Sequence, residues 1–429
     1  MAMAAKGKKA QWTVLAYLAG DNDLEGAAIK DINEMEVVGS REGVVDILVQ
    51  VDRAADYDRS NDDWRSARRY YITQGVEMRR ITSKLLADLG ETNTGDPRIL
   101  KDFIRYGVQS YPAQQYLLIL WNHGSGFYVP PEMLVGEGAP SRREITLRAA
   151  AKLRRSFFHS ARRQIFELPP KLRGICYDDG SSDCLDNKEL KGILQSMSQL
   201  MGKKVDVVGM DACLMTNLEV AYQIKDYARF LVGSEETEPA DGWPYNTILK
   251  GLADNPKISS RDFGRVVVDR YIESYDKPGP FDQDVTQAAL DLEKLGDLVQ
   301  AVDTLAKALL AKLPSSDLDQ AIYAAWRRST RFFDNFYVDL HHFASALAQN
   351  TTSQEVQKAC REVANAIEGK GAQTPLVAEK HLGPGMQKVK GISIYFPPFK
   401  NPSVFYKELD FANDIKWGDF LSAYLEEGR

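Results

Sequence analysis

The sequence predicts an α/β fold: a doubly wound, mostly parallel sheet flanked by helices, followed by a mainly helical C-terminal region. Two observations predict it. Short apolar runs rich in β-branched and aromatic residues recur as far as residue 236, and amphipathic helical patterns lie between them. The runs are continuous and do not alternate with polar residues, which is typical of strands covered on both faces.

Five apolar runs are the predicted strands, and four helical patterns are the predicted crossover connections. The strands are WTVLAYLAG (12–20), VVDILVQVD (44–52), YLLILWNHG (116–124), VDVVGMDAC (205–213) and FLVGSEE (230–236). The helices are LEGAAIKDINEMEVVG (24–39), DPRILKDFIRYGVQSY (96–111), DNKELKGILQSMSQLMG (186–202) and TNLEVAYQIKDYA (216–228). Strands that alternate with helices in this way form a doubly wound sheet.

Two further features complete the predicted organisation. RRYYIT (68–73) and VEMRRI (76–81), joined by Gln74-Gly75, are predicted to form a β-hairpin. From about residue 255 the pattern becomes mostly helical, and GISIYFPP (391–398) is predicted to return one strand to a sheet. We therefore divide the chain into an α/β domain at 1–254 and a mostly helical region at 255–429.

Composition and charge exclude several classes of protein. A formal charge of −6 and a pI near 5.6 argue against binding of nucleic acid through bulk charge. Four cysteines in 429 residues do not make a disulfide scaffold. No apolar run approaches the roughly 20 residues of a membrane-spanning helix, and MAMAAKGKKAQ at the start lacks the apolar segment of a signal peptide. We expect a cytoplasmic protein with free thiols.

A basic segment at about residues 128–172 interrupts the α/β pattern as an insert. From Arg142 to Arg173 the chain holds ten Lys or Arg and two acidic residues, whereas the rest of the chain is acidic. Its apolar residues recur at spacings of four, from Ile145 to Ile165, which predicts a helix in part of it. A solvated basic face on a surface helix also explains this composition.

Three predicted strands end in residues that carry chemistry. Their ends read GDND (20–23), NHGSG (122–126) and DAC (211–213). Ligands bind beyond the carboxyl ends of the strands in open parallel sheets. His123 and Cys213 are therefore expected to face one crevice, where a thiol and an imidazole form the minimum pair of nucleophile and base. Alone, either residue is more often a packing group or a hydrogen-bonded part of the scaffold.

The sequence around Cys213 favours a reactive thiol. Thr216 and Glu219 have the spacing of a capping box, so a helix is predicted to begin about three residues after the thiol and to favour the thiolate. Asp211 acts in the opposite direction, because a nearby carboxylate raises the pKa of a thiol. The backbone N–H groups of Gly124 and Cys213 are candidates for an oxyanion hole.

At these motifs the sequence resembles the clostripain family of cysteine peptidases, which belongs to a group with caspases, legumains, gingipains and separases. The matching stretches are AYLAGDNDLE (16–25), LLILWNHGSGF (117–127), GICYDD (174–179), NKEL (187–190), VVGMDACLMTNLEVAY (207–222), GSEETEPADGWPY (233–245) and GISIYFP (391–397). The resemblance implies a caspase-like fold and cleavage of proteins or peptides after Arg, with Lys as a second possibility. It assigns His123 as the general acid and base and Cys213 as the nucleophile, with no third orienting residue evident.

Specificity for a basic residue requires an acidic pocket, and the resemblance points to two carboxylates for it. Asp211 matches the acid that precedes the family's nucleophile, and Asp241 matches a position where basic-specific members carry an acid. Carboxylates hold a desolvated guanidinium through strong, directional contacts. Asp241 precedes Gly242, so it also fits a simple turn, and Trp243 fits either a pocket wall or a packing residue. Glu235 and Glu236 are weaker candidates for the pocket.

The spacing departs from that of the caspases. These separate His from Cys by about 50 residues, whereas 90 residues separate His123 from Cys213. The surplus falls on the insert, and relatives are often cut between these two residues to become active. We therefore predict a regulatory insert that the enzyme itself cleaves. The candidate cleavage sites are Arg142, Arg143, Lys152, Arg154, Arg155, Arg162 and Arg163.

Other interpretations stay open at this stage. A catalytically silent, peptidase-like binding module could use the basic insert to contact an acidic partner or a membrane surface. A phosphohydrolase using Asp21 and Asp23 with Mg²⁺ is weakly supported, because no downstream lysine motif accompanies the two acids. The chemistry requires no cofactor. Calcium is possible in the acidic loop that contains Asp178, Asp179, Asp183 and Asp186, and the sequence indicates no oligomeric state.

Overall fold

The first strand shows why the sheet is buried on both faces. In the computed structural model of the protein, successive side chains of β1 (Ala10–Gly20) enter two different apolar cores. Leu15 and Tyr17 pack into the core on one face, and Val14 and Ala16 pack into the core on the other. A strand covered on both faces needs apolar residues at consecutive positions, and this explains the continuous runs in the sequence.

The structure describes residues 9–54, 57–75, 77, 79–127, 174–276, 284–332, 335–371, 373–397 and 404–426. The strands that follow β1 are β2 (Val45–Arg53), β3 (Arg68–Tyr71), β4 (Lys84–Asp88), β5 (Ala113–Trp121), β6 (Gly174–Asp178), β7 (Asp183–Asp186), β8 (Val205–Asp211), β9 (Ala228–Gly233), β10 (Val285–Asp291), β11 (Arg331–Phe332), β12 (Tyr337–Asp339), β13 (Leu376–Leu382) and β14 (Ser393–Tyr395). The α-helices are α1 (Glu25–Val38), α2 (Pro97–Ser110), α3 (Asn187–Met201), α4 (Leu218–Ile224), α5 (Tyr245–Asp254), α6 (Ser260–Tyr275), α7 (Gly296–Leu310), α8 (Ser316–Arg328), α9 (Leu340–Asn350), α10 (Gln354–Glu368), α11 (Asp410–Asp414) and α12 (Trp417–Glu426). Short 3-10 turns lie at Asn61–Asp63, Leu292–Lys294 and Val404–Glu408.

The main sheet has nine strands in the order β13-β10-β9-β8-β5-β1-β2-β3-β4. Its centre, from β2 through β1, β5 and β8 to β9, is parallel, and antiparallel strands extend both edges. One face packs against α1, α5 and α6. The other packs against α2 and α3, and its core continues into helices α7 to α12. The predicted α/β class, with a mostly parallel sheet and a helical C-terminal region, is confirmed.

The chain changes direction at the middle of the sheet. It adds β2 on one side of β1 and then returns with β5 on the other side, followed by β8 and β9. A crevice opens at such a switch point, beyond the carboxyl ends of the strands on either side. The ends of β1, β5 and β8 therefore frame the predicted site.

The predicted hairpin has the wrong second strand. β3 pairs with β4, with Arg68 opposite Asp88 and Tyr71 opposite Lys84, and residues 77 and 79–81 belong to neither strand. Glu36 of α1 explains the longer loop, because its carboxylate accepts hydrogen bonds from the backbone N–H groups of Thr82 (2.8 Å) and Ser83 (2.6 Å). The strand begins only after that contact.

The C-terminal region contributes more strands than the sequence predicts. β10 and β13 join the edge of the main sheet, so the sheet itself continues past the predicted boundary at residue 254. The predicted strand at 391–398 is β14, and it pairs with β12 in a separate three-stranded sheet. The division into 1–254 and 255–429 stays a prediction, with a shared sheet across it.

The basic insert at about 128–172, with its predicted helix, lies outside the described residues. Among the helices of the described ranges, none combines the length and apolar character needed to cross a membrane.

Candidate active site

Strand pairing brings His123 and Cys213 to one edge of the sheet. Trp121 is the last residue of β5, and it lies opposite Asp211, the last residue of β8. Each of the two candidate residues follows its strand by two positions, and both line the same cleft. Because β5 and β8 are parallel neighbours, the sequence separation of 90 residues is closed by a single strand pairing.

Gly124 allows the two loops to lie against each other. A Cβ atom at this position would lie 2.4 Å from the carbonyl oxygen of Cys213 and 3.1 Å from its nitrogen. Real Cβ contacts are essentially never that short, so a side chain here would separate the loop that carries His123 from the loop that carries Cys213. The glycine is required by the close approach of two backbones.

Asp23, at the end of β1, orients the imidazole. Its Oδ1 lies 2.9 Å from Nε2 of His123, and only 4% of the histidine side chain is exposed. A carboxylate at Nε2 favours the tautomer with the proton on that nitrogen, which leaves Nδ1 as the basic nitrogen. The expectation that no third residue orients the histidine is therefore wrong. The GDND motif contained the signal, since it ends the strand next to β5.

The thiol of Cys213 is half-buried and surrounded by backbone N–H groups. The amide of Glu238 donates to Sγ at 3.3 Å, and the amides of Gly124 and of Cys213 itself also stabilise the thiolate. Burial dominates, however, and raises the pKa of the thiol to about 11, with a further increase from the carboxylate of Glu236. The thiol is thus protonated at neutral pH in this structure.

A helix does begin close to the predicted position after the thiol, but the predicted capping box is wrong. α4 has seven residues and begins at Leu218, and its cap is Asn217, whose side chain accepts a hydrogen bond from the amide of Val220 at 2.8 Å. Glu219 does not close a capping box. Its carboxylate accepts hydrogen bonds from the amide of Tyr395 and the hydroxyl of Tyr406, both at 3.1 Å. The carboxylate that raises the pKa of the thiol is also Glu236 rather than Asp211.

The base of the cleft is acidic. Asp211 is buried, and its Oδ2 accepts hydrogen bonds from the hydroxyl of Tyr245 (2.7 Å) and the amide of Trp243 (3.2 Å). Its carboxyl contacts that of Glu238, and Asp31 of α1 is close enough to interact with it electrostatically. Burial raises the pKa of all three carboxyls. No pattern in the sequence singles out Glu238 or Asp31 for this cluster.

The other predicted pocket residues lie in different environments. The side chain of Asp241 is 78% exposed and forms an ion pair with Lys30 at 2.7 Å. Trp243 is fully buried and packs over Gly209 of β8, where a Cβ atom would lie 2.8 Å from its ring. Glu235 turns away from the cleft, and its carboxylate accepts a hydrogen bond from the amide of Gly391 at 2.8 Å.

In the acidic loop proposed for calcium, the carboxylates of Asp178 and Asp186 accept hydrogen bonds from backbone N–H groups of the protein. Asp178 accepts hydrogen bonds from the amides of Thr94 and Ser181, both at 2.7 Å. Asp186 caps α3. Within the described ranges, no group of three or more His, Cys, Asp or Glu residues is arranged to hold a metal ion. Calcium in this loop stays a prediction from the sequence.

Fold and site together define a cysteine peptidase of the caspase-like class. The sequence matches the clostripain family over residues 16–133 and 164–424. The chain belongs to the clostripain family of cysteine peptidases, and the sequence-based identification is confirmed. The stretch that the match leaves out, 134–163, lies within the predicted insert.

Individual relatives agree with this assignment. Clostripain of Hathewaya histolytica is 26% identical to this chain, in a match that covers 73% of this chain and 59% of the relative. This chain therefore spans about three fifths of the length of the curated relative that it matches. A secreted C11 cysteine protease of Bacteroides thetaiotaomicron, solved with an irreversible peptide inhibitor, has the same fold, with a TM-score of 0.62 at 18% identity over 95% of this chain and 99% of that one. An inactive zymogen C11 protease of Parabacteroides distasonis gives a TM-score of 0.61 at 18% identity over 96% and 99%.

Proposed function

We propose that the protein is an endopeptidase that cleaves after Arg, and also after Lys, with His123 and Cys213 as its catalytic pair. The observation that carries the proposal is the placement of both residues two positions beyond paired parallel strands, in one cleft, with His123 oriented by Asp23. The clostripain relative supports the same chemistry, although it is longer than this chain.

The geometry supports the following reaction. Nδ1 of His123 takes the thiol proton, and Sγ of Cys213 attacks the scissile carbonyl carbon. The amides of Gly124 and Cys213, which already stabilise negative charge at the sulfur, then stabilise the oxyanion. The imidazolium protonates the leaving amine as the C–N bond breaks, and a thioester remains. Water, deprotonated by His123, breaks the C–S bond and restores the thiol.

Selectivity for a positive side chain is assigned to the carboxyls of the cleft. Asp211 lies at its buried base. Asp241 is exposed and paired with Lys30, and its two chain neighbours, Ala240 and Gly242, line the cleft. A basic side chain that enters the cleft would meet buried carboxyls. Among the described residues, no cation is paired with Asp211, so the charge of the substrate would have no competitor there. An acidic side chain would find no cation among the described residues of the cleft base, so burial of its negative charge there would be costly.

We also propose that the enzyme matures by cutting its own insert at about 128–172. The family match omits residues 134–163, which supports an insertion between the two catalytic residues. The high pKa of the Cys213 thiol supports a resting state with little thiolate. Basic side chains of the insert suit the acidic cleft, and an uncut insert would compete with substrate for it.

A panel of fluorogenic peptides with Arg, Lys, Asp or citrulline before the cut tests the function. The wild-type protein is expected to cleave the Arg and Lys peptides, and Cys213→Ala is expected to abolish this cleavage. Activity that survives in Cys213→Ala, or a preference for Asp, would overturn the proposal. No cleavage of any peptide, before or after treatment with trypsin to cut the insert, would favour the silent binding module.

A further inference from the structure

Glu238 is held directly over the nucleophile. Its backbone N–H lies 3.3 Å from Sγ of Cys213, and its carbonyl oxygen lies 4.0 Å from the same sulfur. The residue also lines the cleft. Its backbone is thus fixed by the reacting group itself, and its side chain begins at the site where a peptide must lie.

The carboxyl of Glu238 is buried against another acid. Both of its oxygens are inaccessible to solvent, and the indole N–H of Trp243 is a donor that faces the carboxyl. The carboxyl contacts that of Asp211, which already accepts hydrogen bonds from Tyr245 and Trp243. Two carboxyls in contact can form a hydrogen bond only when one of them carries a proton.

The cluster has no internal counter-ion. Within the described residues, none of Asp31, Asp211 and Glu238 forms an ion pair, whereas the exposed Asp241 has Lys30 as its partner. A buried carboxylate without a partner is costly, so the group stays protonated until a cation reaches it. The three carboxyls can therefore ionise at low cost only when a ligand supplies a positive charge next to them.

We propose that Glu238 is a specificity residue, which receives the positive charge of the basic side chain together with Asp211 and releases a proton as it does so. This inference rests on the proposed function and identifies the side chain that distinguishes a charged substrate from a neutral one. The step is balanced: the protonated carboxyl and the guanidinium give a carboxylate–guanidinium pair and one proton in solvent.

The surroundings of Glu238 favour this exchange. The titratable groups that face it come from β8 and its loop, from α5 and from α6, and they are Asp211, Cys213, Tyr245, Tyr271 and Tyr275. Each of these groups is neutral or negative, so none of them neutralises a carboxylate at Glu238. Burial and the neighbouring Asp211 raise the pKa of Glu238, in agreement with a proton held in the free enzyme.

The test compares Arg with citrulline, which has nearly the same shape but no charge, before the cut. In Glu238→Gln we expect kcat/KM for the Arg peptide to fall by about 10- to 100-fold, the loss of one charge-assisted contact. The citrulline peptide is expected to change little. Glu238→Asp keeps an acid and should keep a preference for Arg. Glu355→Gln, an exposed Glu→Gln change on α10, is the matched control.

Proton release is measured independently of turnover. Agmatine, a guanidinium probe, is titrated into Cys213→Ala protein by calorimetry in two buffers of different ionisation enthalpy. We expect release of up to one proton with Glu238 present and less in Cys213→Ala with Glu238→Gln.

The outcomes separate this inference from the proposed function. An unchanged ratio of Arg to citrulline cleavage in Glu238→Gln, with activity that still depends on Cys213, would overturn the role of Glu238 alone. The ratio is measured within one sample, so a partial loss of folded enzyme cancels. Absence of Arg cleavage in the wild type would instead overturn the function on which the inference rests.

Discussion

The carboxylate of Asp23 orients the imidazole of His123. Oδ1 of Asp23 lies 2.9 Å from Nε2, which places the proton on that nitrogen and leaves Nδ1 basic. An amide in place of the carboxylate can donate to Nε2 and stabilise the opposite tautomer. Asp23 is therefore a positioning residue that acts through the histidine.

Replacement of Asp23 by Asn is expected to lower kcat/KM for an Arg peptide by about 100- to 10,000-fold at neutral pH, as for other histidines forced into the wrong tautomer. Asp62→Asn, an exposed residue with φ +65, is the matched control because Asn tolerates that conformation. A rate like that of the wild type would contradict this role.

The sequence predicts His123 and Cys213 because each residue follows an apolar run that can only be a buried strand. It does not predict Asp23 as the partner of His123, since the contact depends on β1 and β5 being neighbours across 100 residues. The sequence pattern also does not predict the direction in which the pKa of the Cys213 thiol is shifted. The sequence suggests a helix start that would lower the pKa of the thiol, whereas burial of Sγ in the folded chain raises that pKa.

At the scale of elements, α4 shows how tertiary contacts override a local motif. The sequence TNLE fits a capping box, but Asn217 caps the helix and Glu219 points into the core. There it accepts hydrogen bonds from Tyr395 and Tyr406, which come from the distant C-terminal region. The local pattern identifies a helix and places its start to within two residues, and long-range contacts decide the role of each polar group.

Glu219 links this element to the pH dependence of stability. Burial raises its pKa from 4.5 to about 7. Between these values the unfolded chain has released the proton that the folded chain still holds, so the free energy of unfolding falls as pH rises. Its contribution is fully present below pH 4.5 and is lost as pH rises through about 7.

Glu219→Gln removes this ionisation, so relative to the parent protein it should become more stabilising between pH 5 and pH 8, by up to about 3 kcal/mol. Urea unfolding of Cys213→Ala protein at the two pH values measures the difference without self-cleavage. Glu355→Gln, exposed on α10, should show no such trend. A Glu219→Gln effect that is the same at both pH values would contradict the account.

At the scale of the whole molecule, the predicted class of fold is confirmed because both faces of a parallel sheet require continuous apolar strands. Two of the strands that were missed lie at the edges of the sheet, where that rule weakens, whereas the missed strand β10 is buried. β4 is an edge strand with largely exposed side chains, and β13 at the opposite edge is only partly buried. The C-terminal region therefore adds to the main sheet in a way that its helical pattern does not indicate.

The insert lies between β5 and β6 in the chain, and therefore between His123 and Cys213, so its cleavage would divide the whole chain into two parts. We expect purified wild-type protein to separate into fragments with a boundary within 128–172, after one of the basic candidate residues. Cys213→Ala should stay intact, and addition of wild-type enzyme shows whether cutting also occurs between molecules. Mass spectrometry of both proteins measures this. An intact wild-type chain with full activity would contradict self-cleavage as a route to activation.

The most direct test of the central claim is covalent labelling by a peptide with a C-terminal arginyl chloromethyl ketone, followed by peptide mapping. If the thiol and the imidazole act together beyond β5 and β8, the label is found on Cys213 in the wild type, and His123→Ala slows the reaction by at least about 100-fold. Labelling of Cys176, Cys184 or Cys360, or an equal rate without the histidine, would contradict the account.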